Sequence, residues 1–224
     1  MVKLTAADHA LVTQAVAKAE RESDGEIVTI VAPRSDAYHD VGLHYAVLGM
    51  LLVPGLLAIL PQRTIDWAAG LALGWNAELA RGVAMLFLFA ILTLVFLILR
   101  FGLAYLPLRM ALTPGATKTR RVRRRAIELF KAGTERRTRG RTGILLYLSL
   151  LEHRAESVAD EAIHSQVEPE VWGEAMAVLI EEVKAGRPGE GMARAVERIG
   201  AVLALCLPPR QDNPNEISDR LIEL

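Results

Sequence analysis

Two short acidic stretches carry the side chains best suited to chemistry. Asp160, Glu161 and His164 follow a predicted strand, whereas Asp24 and Glu26 stand at the start of another. Carboxylate oxygens and an imidazole are ligands for hard or borderline divalent cations, and such a cation can in turn bind phosphate. These five residues, if they face one another, are the predicted ligands of a cation such as calcium or magnesium. A solvated acidic turn with a capping or core histidine is the more ordinary explanation, because no metal-specific spacing such as H-E-x-x-H occurs.

No recognised catalytic motif accompanies these residues. The sequence contains no G-x-x-x-x-G-K-S/T phosphate loop and no G-x-S-x-G elbow. The glycine-rich residues 186–191 join two predicted helices, where a tight turn is the ordinary explanation. A single cysteine, Cys206, excludes both an intramolecular disulfide and a thiolate metal cluster. The sequence therefore assigns no catalytic residue.

Two long segments of the chain are apolar and uncharged. Residues 41–60 and 82–99 contain no charged side chain, and the second segment extends to about residue 106 because Arg100 can snorkel to a membrane boundary. A chain of 224 residues has too few surrounding layers to bury helices that are apolar on every side. We predict two membrane spans, at residues 41–60 and 82–106. The spans lack the internal charges typical of a transport path.

A dense run of arginines follows the second span. Between Arg109 and Arg141 there are twelve basic residues against two acidic ones. Each basic residue near anionic lipid contributes about 1 kcal/mol to membrane attachment, so we expect contacts with membrane lipids and none with nucleic acid. The predicted membrane-surface patch consists of Arg120, Arg121, Arg123, Arg124 and Arg125.

The distribution of basic residues also predicts the orientation of the chain. The loop between the spans, residues 61–81, has only Arg63 and Arg81 as basic residues. Because basic flanks remain on the cytoplasmic side, the arginine-rich segment and, with two spans, the N-terminal segment lie in the cytoplasm. We expect an inner (plasma) membrane protein with both termini in the cytoplasm. Trp67 and Trp75 in the outer loop suit a segment in the headgroup layer.

The two flanks of the spans show the patterns of one α/β domain. Thr5, with an acid three positions later, predicts a helix start, and the run of residues 26–32 predicts a buried strand that ends before Pro33. A lone strand cannot form a sheet, so it must pair with the strand predicted after the spans. In the C-terminal flank, the sequence pattern predicts a basic helix, a loop around residues 133–143, and strands at 144–151 and 154–159. Two helices are predicted to follow, from 169 to 185 and from 191 to 207, and then a polar tail with a short helical end at 210–224.

The order of these elements resembles the TPM-domain family, named for thylakoid, photosystem-repair and receptor-modulator members. The similar stretches are residues 4–8 (LTAAD), 23–28 (SDGEIV) and 142–149 (TGILLYLS). The resemblance implies a small three-layer α/β/α domain, here split by an inserted transmembrane hairpin as in a bacterial membrane branch, and some members are weak acid phosphatases or bind divalent cations. Residues 159–164 (ADEAIH) replace the family's usual glycine-rich turn, which a close approach of backbone N–H groups to phosphate would need.

Together these observations predict an organisation and two functions. The chain divides into an N-terminal half-domain (1–40), a transmembrane hairpin (41–108), a C-terminal half-domain (109–209) and a polar tail (210–224). The favoured function is a membrane-anchored, cytoplasm-facing accessory domain that binds a protein partner, with metal binding optional. The alternative is a weak metal-assisted acid phosphatase that uses Asp160, Glu161 or His164.

Overall fold

The structure of the chain is a computed structural model that describes residues 4–74, 81–134, 142–167, 169–210 and 215–224. It contains two compact units. The first, called the α/β unit, consists of Met1–Asp36 and Gly115–Leu224, and the second, called the hairpin unit, consists of Ala37–Pro114. The α/β unit is therefore assembled from the two parts of the chain that flank the hairpin unit.

The helices and strands of the described chain follow the order expected for a split α/β domain. In chain order they are α1 (Ala6–Glu22), β1 (Glu26–Ala32), α2 (His39–Ile59), α3 (Gln62–Leu73), α4 (Arg81–Gly102), α5 (Leu106–Leu112), α6 (Gly115–Gly133), β2 (Gly143–Ser149), β3 (Arg154–Ala159), α7 (Glu161–His164), α8 (Pro169–Lys184), α9 (Pro188–Cys206) and β4 (Ile222–Glu223).

A four-stranded mixed sheet lies at the centre of the α/β unit, with the strand order β3-β2-β1-β4. β1 and β2 are parallel and pair from Glu26 opposite Gly143 to Ala32 opposite Ser149, which confirms the predicted pairing across the inserted segment. β3 is antiparallel to β2, and β4 is parallel to β1. Every residue of β1 and β2 is buried, as expected for central parallel strands covered on both faces. The mixed α/β class predicted from the sequence is confirmed.

Helices cover both faces of this sheet. α1, α8 and α9 pack on one face, where side chains such as Val16, Leu179 and Ile199 form the larger apolar core. α6 packs on the opposite face through Val122, Ala126 and Phe130. These three residues recur at helical spacing, so an otherwise basic helix presents one apolar stripe to the sheet. The α/β unit thus has two apolar cores separated by the sheet.

The C-terminal tail differs from its prediction. Residues 222–223 form β4 beside β1, whereas the sequence pattern predicts a short helical end. Leu221 is buried in the larger core, and the N–H of Leu224 donates to the carbonyl of Val31 at 3.0 Å. The free edge of β1 offers backbone hydrogen bonds that a short isolated helix would not make, which favours an extended tail.

The hairpin unit contains two helices that are long and apolar enough to cross a membrane. α2 has 21 residues with a mean hydropathy of 1.9 over its most apolar stretch, and α4 has 22 residues with a value of 2.9. The two helices pack against each other, and a Cβ on Gly49 would meet the side chain of Leu99. Small residues at such contacts let membrane helices approach closely.

The second apolar helix is shorter than predicted. α4 ends at Gly102, where the sequence pattern predicts a continuous span to about residue 106. A turn follows, and Pro107 occupies the first turn of α5. Proline fits the start of a new helix better than a helix interior, because it has no N–H to donate. Trp67 lies on α3 and is exposed, whereas Trp75 and most of the predicted loop at 133–143 lie outside the described residues.

Polar contacts join the two ends of the hairpin unit. The guanidinium of Arg109 is buried, with its Nη1 3.3 Å from Nδ1 of His39 and 3.4 Å from the carbonyl oxygen of Leu103. The hydroxyl of Tyr45 donates to the carbonyl of Leu112 at 3.0 Å. Tyr38, next to His39, is fully buried. The start of α2 is therefore fixed to the α5 segment by hydrogen bonds as well as by packing.

Candidate functional site

The candidate site lies at the edge of the sheet where β1 and β2 begin and β3 ends. Glu26 opposes Gly143 in the register of β1 and β2, and Asp160 directly follows β3. The N–H of Asp160 donates to the carbonyl of Gly143 at 2.9 Å. Asp24, Glu26 and Asp160 are thus placed along one edge of the sheet by strand pairing alone.

Asp160 has a structural role at this edge. Its side chain is buried, and its Oδ2 accepts the N–H of Gly143 at 3.2 Å. A Cβ at Gly143 would lie 3.2 Å from the same oxygen, so the absence of a side chain permits the close approach. Glu161 and His164, which lie on the single turn of α7, are both exposed. The structure separates them from the buried Asp160 carboxylate.

The two acids near the start of β1 also have protein partners. Asp24 forms a hydrogen-bonded ion pair with Arg210, whose Nε lies 2.7 Å from its Oδ1. The carboxylate of Glu26 accepts the N–H groups of Glu216 and Ile217 at 3.3 and 3.1 Å. Both acids therefore hold the C-terminal segment against the sheet edge.

The five predicted metal ligands are not brought together as one ligand set. Across the described ranges, no three His, Cys, Asp or Glu side chains are grouped so that they could hold a metal ion. The physical reason is that Asp24, Glu26 and Asp160 each face a guanidinium or backbone N–H groups, whereas Glu161 and His164 are exposed. Binding of calcium or magnesium by these residues stays a prediction.

A second carboxyl cluster at this edge was not predicted from the sequence. Glu20, near the end of α1, is buried, and its Oε1 accepts the N–H of Ile27 at 2.8 Å. Burial raises the pKa of Glu20 to about 8; the Ile27 N–H opposes this shift, whereas the charge of Glu26 and a hydrogen bond with Asp219 reinforce it. Burial also raises the pKa of Glu26, against the two N–H groups that it accepts.

This cluster connects three parts of the chain through charge repulsion and one hydrogen bond. Glu20 belongs to α1, Glu26 to β1 and Asp219 to the C-terminal segment. A helical periodicity reveals that Glu20 lies near the apolar stripe of α1, which contains Val12, Val16 and Ala19. The sequence carries no signal for the partner, because Asp219 comes from a tail about two hundred residues away in the chain.

The predicted basic patch is only partly free for lipid contacts. Arg121 donates to Asp36 at 2.7 Å, and Arg124 and Arg125 form ion pairs with Glu128. Arg120 and Arg123 are exposed and make no ion pair with the described residues. Four further basic residues of the segment between Arg109 and Arg141 lie outside the described residues, namely Arg136, Arg137, Arg139 and Arg141.

Comparisons with known proteins add a fold-level match. No protein-family model and no curated protein matches the chain. Among solved structures, the chain is similar to the NMR structure of the BA42 protein from the psychrophilic bacterium Bizionia argentinensis. The TM-score is 0.56 at 14% identity, and the match covers 99% of this chain and 95% of that chain. Identity this low shows a shared fold alone. The fold defines the chain as a mixed α/β protein that also carries two helices able to cross a membrane.

Proposed function

We propose that the chain is a membrane-anchored accessory protein whose α/β unit binds another membrane or cytoplasmic protein. One observation carries this proposal: β1 and β2 pair over seven residues although the hairpin unit separates them in sequence. The α/β unit is therefore joined covalently to the hairpin unit at both Asp36 and Gly115. If α2 and α4 span a bilayer, these two junctions tether the α/β unit to that bilayer.

The family proposal is a TPM-like α/β/α domain split by a transmembrane hairpin, of the bacterial membrane type. Supporting it are the TGILLYLS stretch, which forms β2, and the LTAAD stretch, in which Thr5 and Asp8 make a reciprocal capping box at the start of α1. Helices on both faces of a small sheet are also consistent with it. The carboxylates of the candidate site bind a guanidinium or backbone N–H groups and so stabilise the fold. This use of the carboxylates favours an interaction role over catalysis.

The proposed location is the inner membrane, with two spans and both termini in the cytoplasm. The support is the excess of basic residues on α6, which begins directly after the hairpin unit, over the two arginines near the ends of the intervening loop. Arg120 and Arg123 are the exposed members of the patch that lack an ion-pair partner in the described chain, and Arg120 is the proposed contact to anionic lipid. We expect no binding to nucleic acid.

A weak metal-assisted acid phosphatase is the second candidate function. The observation in its favour is that Asp24, Glu26 and Asp160 share one edge of the sheet. Against it stands the use of each carboxylate by a guanidinium or by backbone N–H groups. A divalent cation would have to displace these partners, which favours the accessory function.

Crosslinking in native membranes tests the accessory function most directly. The intact chain and an Asp160→Asn, Glu161→Gln double variant are crosslinked, solubilised in mild detergent and purified through an affinity tag. We expect one stoichiometric protein partner with both forms, because partner binding does not need a metal at these acids. A Glu161→Gln single variant is the matched control, since Glu161 is exposed and its loss leaves the sheet edge intact.

Two outcomes would contradict the proposal. If neither form retains a partner, the accessory function is wrong. If the purified intact chain instead releases phosphate from a generic phosphomonoester in the presence of calcium or magnesium, and the double variant does not, the phosphatase function replaces it.

A further inference from the structure

An open groove runs along the outer edge of β3. β3 is the terminal strand of the sheet, and in the described chain no further strand pairs with its outer side. The groove, called here the edge groove, has a volume of about 520 Å³. It is bounded by α6 on one side and by α7 and α8 on the other, and is lined by Arg123, Ile127, residues 155–159, His164, Trp172, Gly173 and Met176.

Three residues of β3 present their backbone groups to this groove. In the antiparallel register Asp160 opposes Gly143 as a hydrogen-bonded pair, so the bonds to β2 recur at every second residue before it. The N–H and C=O groups of Ala155, Ser157 and Ala159 consequently point away from β2. An unpaired row of this kind is a template for another strand, and peptide recognition by strand addition uses it.

The two walls of the edge groove differ in chemistry. On the α8 side, Trp172 and Met176 offer an apolar surface next to the small side chain of Ala155. On the α6 side, Arg123 faces Glu156, and the charge of Arg154 also acts on this carboxyl. Arg154 does not itself line the groove, but Arg123, Arg154 and Glu156 together leave one net positive charge beside this wall, called here the positive wall.

The two arginines act on the charge of Glu156 without a contact to it within ion-pair distance. Neither Arg123 nor Arg154 forms an ion pair in the described chain, and Nε of Arg154 is buried without a hydrogen-bond acceptor among the described residues. Because Arg154 does not line the groove, Arg123 is the guanidinium there that an incoming carboxylate would reach.

We propose that the edge groove binds an extended, acidic segment of the protein partner as a fifth strand beside β3. This inference rests on the proposed accessory function and specifies its docking surface. The six residues of β3 span about 20 Å, which matches a peptide of five or six residues. Because side chains of a strand alternate between faces, the segment places carboxylates toward Arg123 and apolar side chains toward Trp172 and Met176.

The test measures peptide binding to the full chain in nanodiscs of zwitterionic lipid. The probe is a fluorescent hexapeptide in which glutamate alternates with leucine, and the control probe has lysine in place of glutamate. Ser157→Pro removes one outward N–H but no bond to β2, and Ser157→Ala is its matched control. Arg123→Glu reverses the charge of the wall, and Arg120→Glu makes the same change on α6 outside the groove.

We expect the glutamate peptide to bind and the lysine peptide not to bind. Ser157→Pro and Arg123→Glu should each weaken binding about tenfold or more, as the loss of one buried hydrogen bond or ion pair predicts, whereas both controls should stay near the native affinity. Bound peptide should also slow hydrogen exchange at Ala155, Ser157 and Ala159. Should Ser157→Pro impair folding, Arg123→Glu still decides the test.

Four results would overturn the inference. One is equal binding of the lysine and glutamate peptides, and another is unchanged binding by Arg123→Glu. The third is a dimer of the chain that Ser157→Pro dissociates while the peptide does not bind, which would assign the groove to a second copy. If the partner captured from membranes is retained by both groove variants, the docking surface is wrong while the accessory function stands.

Discussion

Glu20 is a residue whose ionisation should set the pH dependence of stability. Its pKa is raised from 4.5 to about 8 in the folded chain, chiefly by burial, so between these values the folded state binds a proton that the unfolded state has lost. Stability must therefore fall as the pH rises from about 5 to 8, because the unfolded state then binds fewer protons. The raised pKa of Glu26 acts in the same direction.

Glu20→Gln should remove most of this dependence. The amide keeps an acceptor for the N–H of Ile27 but cannot ionise beside Asp219. We expect the variant to match the native chain near pH 5 and to be more stable at pH 9, by roughly 2–4 kcal/mol. Hydrogen exchange of the β1 amides across this pH range measures the difference in stability between the variant and the native chain. Glu22→Gln is the control, because Glu22 is exposed on the same helix. A native-like pH dependence in Glu20→Gln would contradict the account.

Asp160 should act on stability without a metal. Asp160→Asn weakens the acceptor for the N–H of Gly143 in a buried position, which should cost about 1–2 kcal/mol. We expect the same loss of thermal stability in chelator and in excess calcium or magnesium, and no loss for the exposed Glu161→Gln. If either cation stabilises the native chain but not Asp160→Asn, the metal prediction gains direct support. The hydrogen bond to Gly143 would then not be enough to explain the role of Asp160.

At the level of single residues, sequence reasoning located the right edge of the sheet but not its bonding. Asp24, Glu26 and Asp160 were predicted to face one another because they flank strand ends, and strand pairing places them along one edge. Their partners, Arg210 and the N–H groups of Glu216 and Ile217, come from the C-terminal segment. Contacts of such long sequence separation leave no periodic signal in either segment.

At the level of elements, α1 and α9 pack closely against each other in the α/β unit. A Cβ on Gly200 would lie 2.5 Å from Cβ and 3.2 Å from Cα of Ala19, so the two helices meet where neither has a large side chain. Gly200→Ala should destabilise the unit by about 1–3 kcal/mol through overpacking. Gly173→Ala on α8 is the control, since its Cβ would meet nothing within 4 Å and alanine favours a helix.

Thermal unfolding of the purified full chain, followed by circular dichroism, compares these two glycine variants. The expected order of stability is Gly173→Ala at or above the native chain and Gly200→Ala below it. Equal stability of the two variants would show that α1 and α9 do not approach as closely as described.

Elements with strong local signals were predicted well, and elements that depend on distant contacts were not. The capping box at Thr5 and the run before Pro33 defined α1 and β1, and β3 has the bounds predicted from its polar pattern. β4 was missed because two residues carry no strand periodicity, and the edge of β1 alone makes them extended. The end of α4 was missed because apolar residues continue beyond Gly102 into the turn.

For the whole molecule, the division into two units explains how one sequence combines a positive mean hydropathy with balanced charge. The apolar residues that are exposed on α2 and α4 belong to the hairpin unit, whereas the α/β unit buries its apolar residues on the two faces of the sheet. If α2 and α4 cross a membrane, the pairing of β1 with β2 requires the chain to return to the side from which it left. An even number of spans is therefore a necessary feature of the proposed membrane protein.

Labelling of single cysteines tests this topology most directly. In a Cys206→Ser background, the exposed residues Glu22, Thr64 and Glu197 are each replaced by cysteine, and spheroplasts are treated with a membrane-impermeant maleimide. We predict that Thr64→Cys reacts in intact spheroplasts, whereas Glu22→Cys and Glu197→Cys react only after permeabilisation. Reaction of Glu22→Cys and Glu197→Cys from opposite sides would contradict the account, because one sheet could not then form from both flanks.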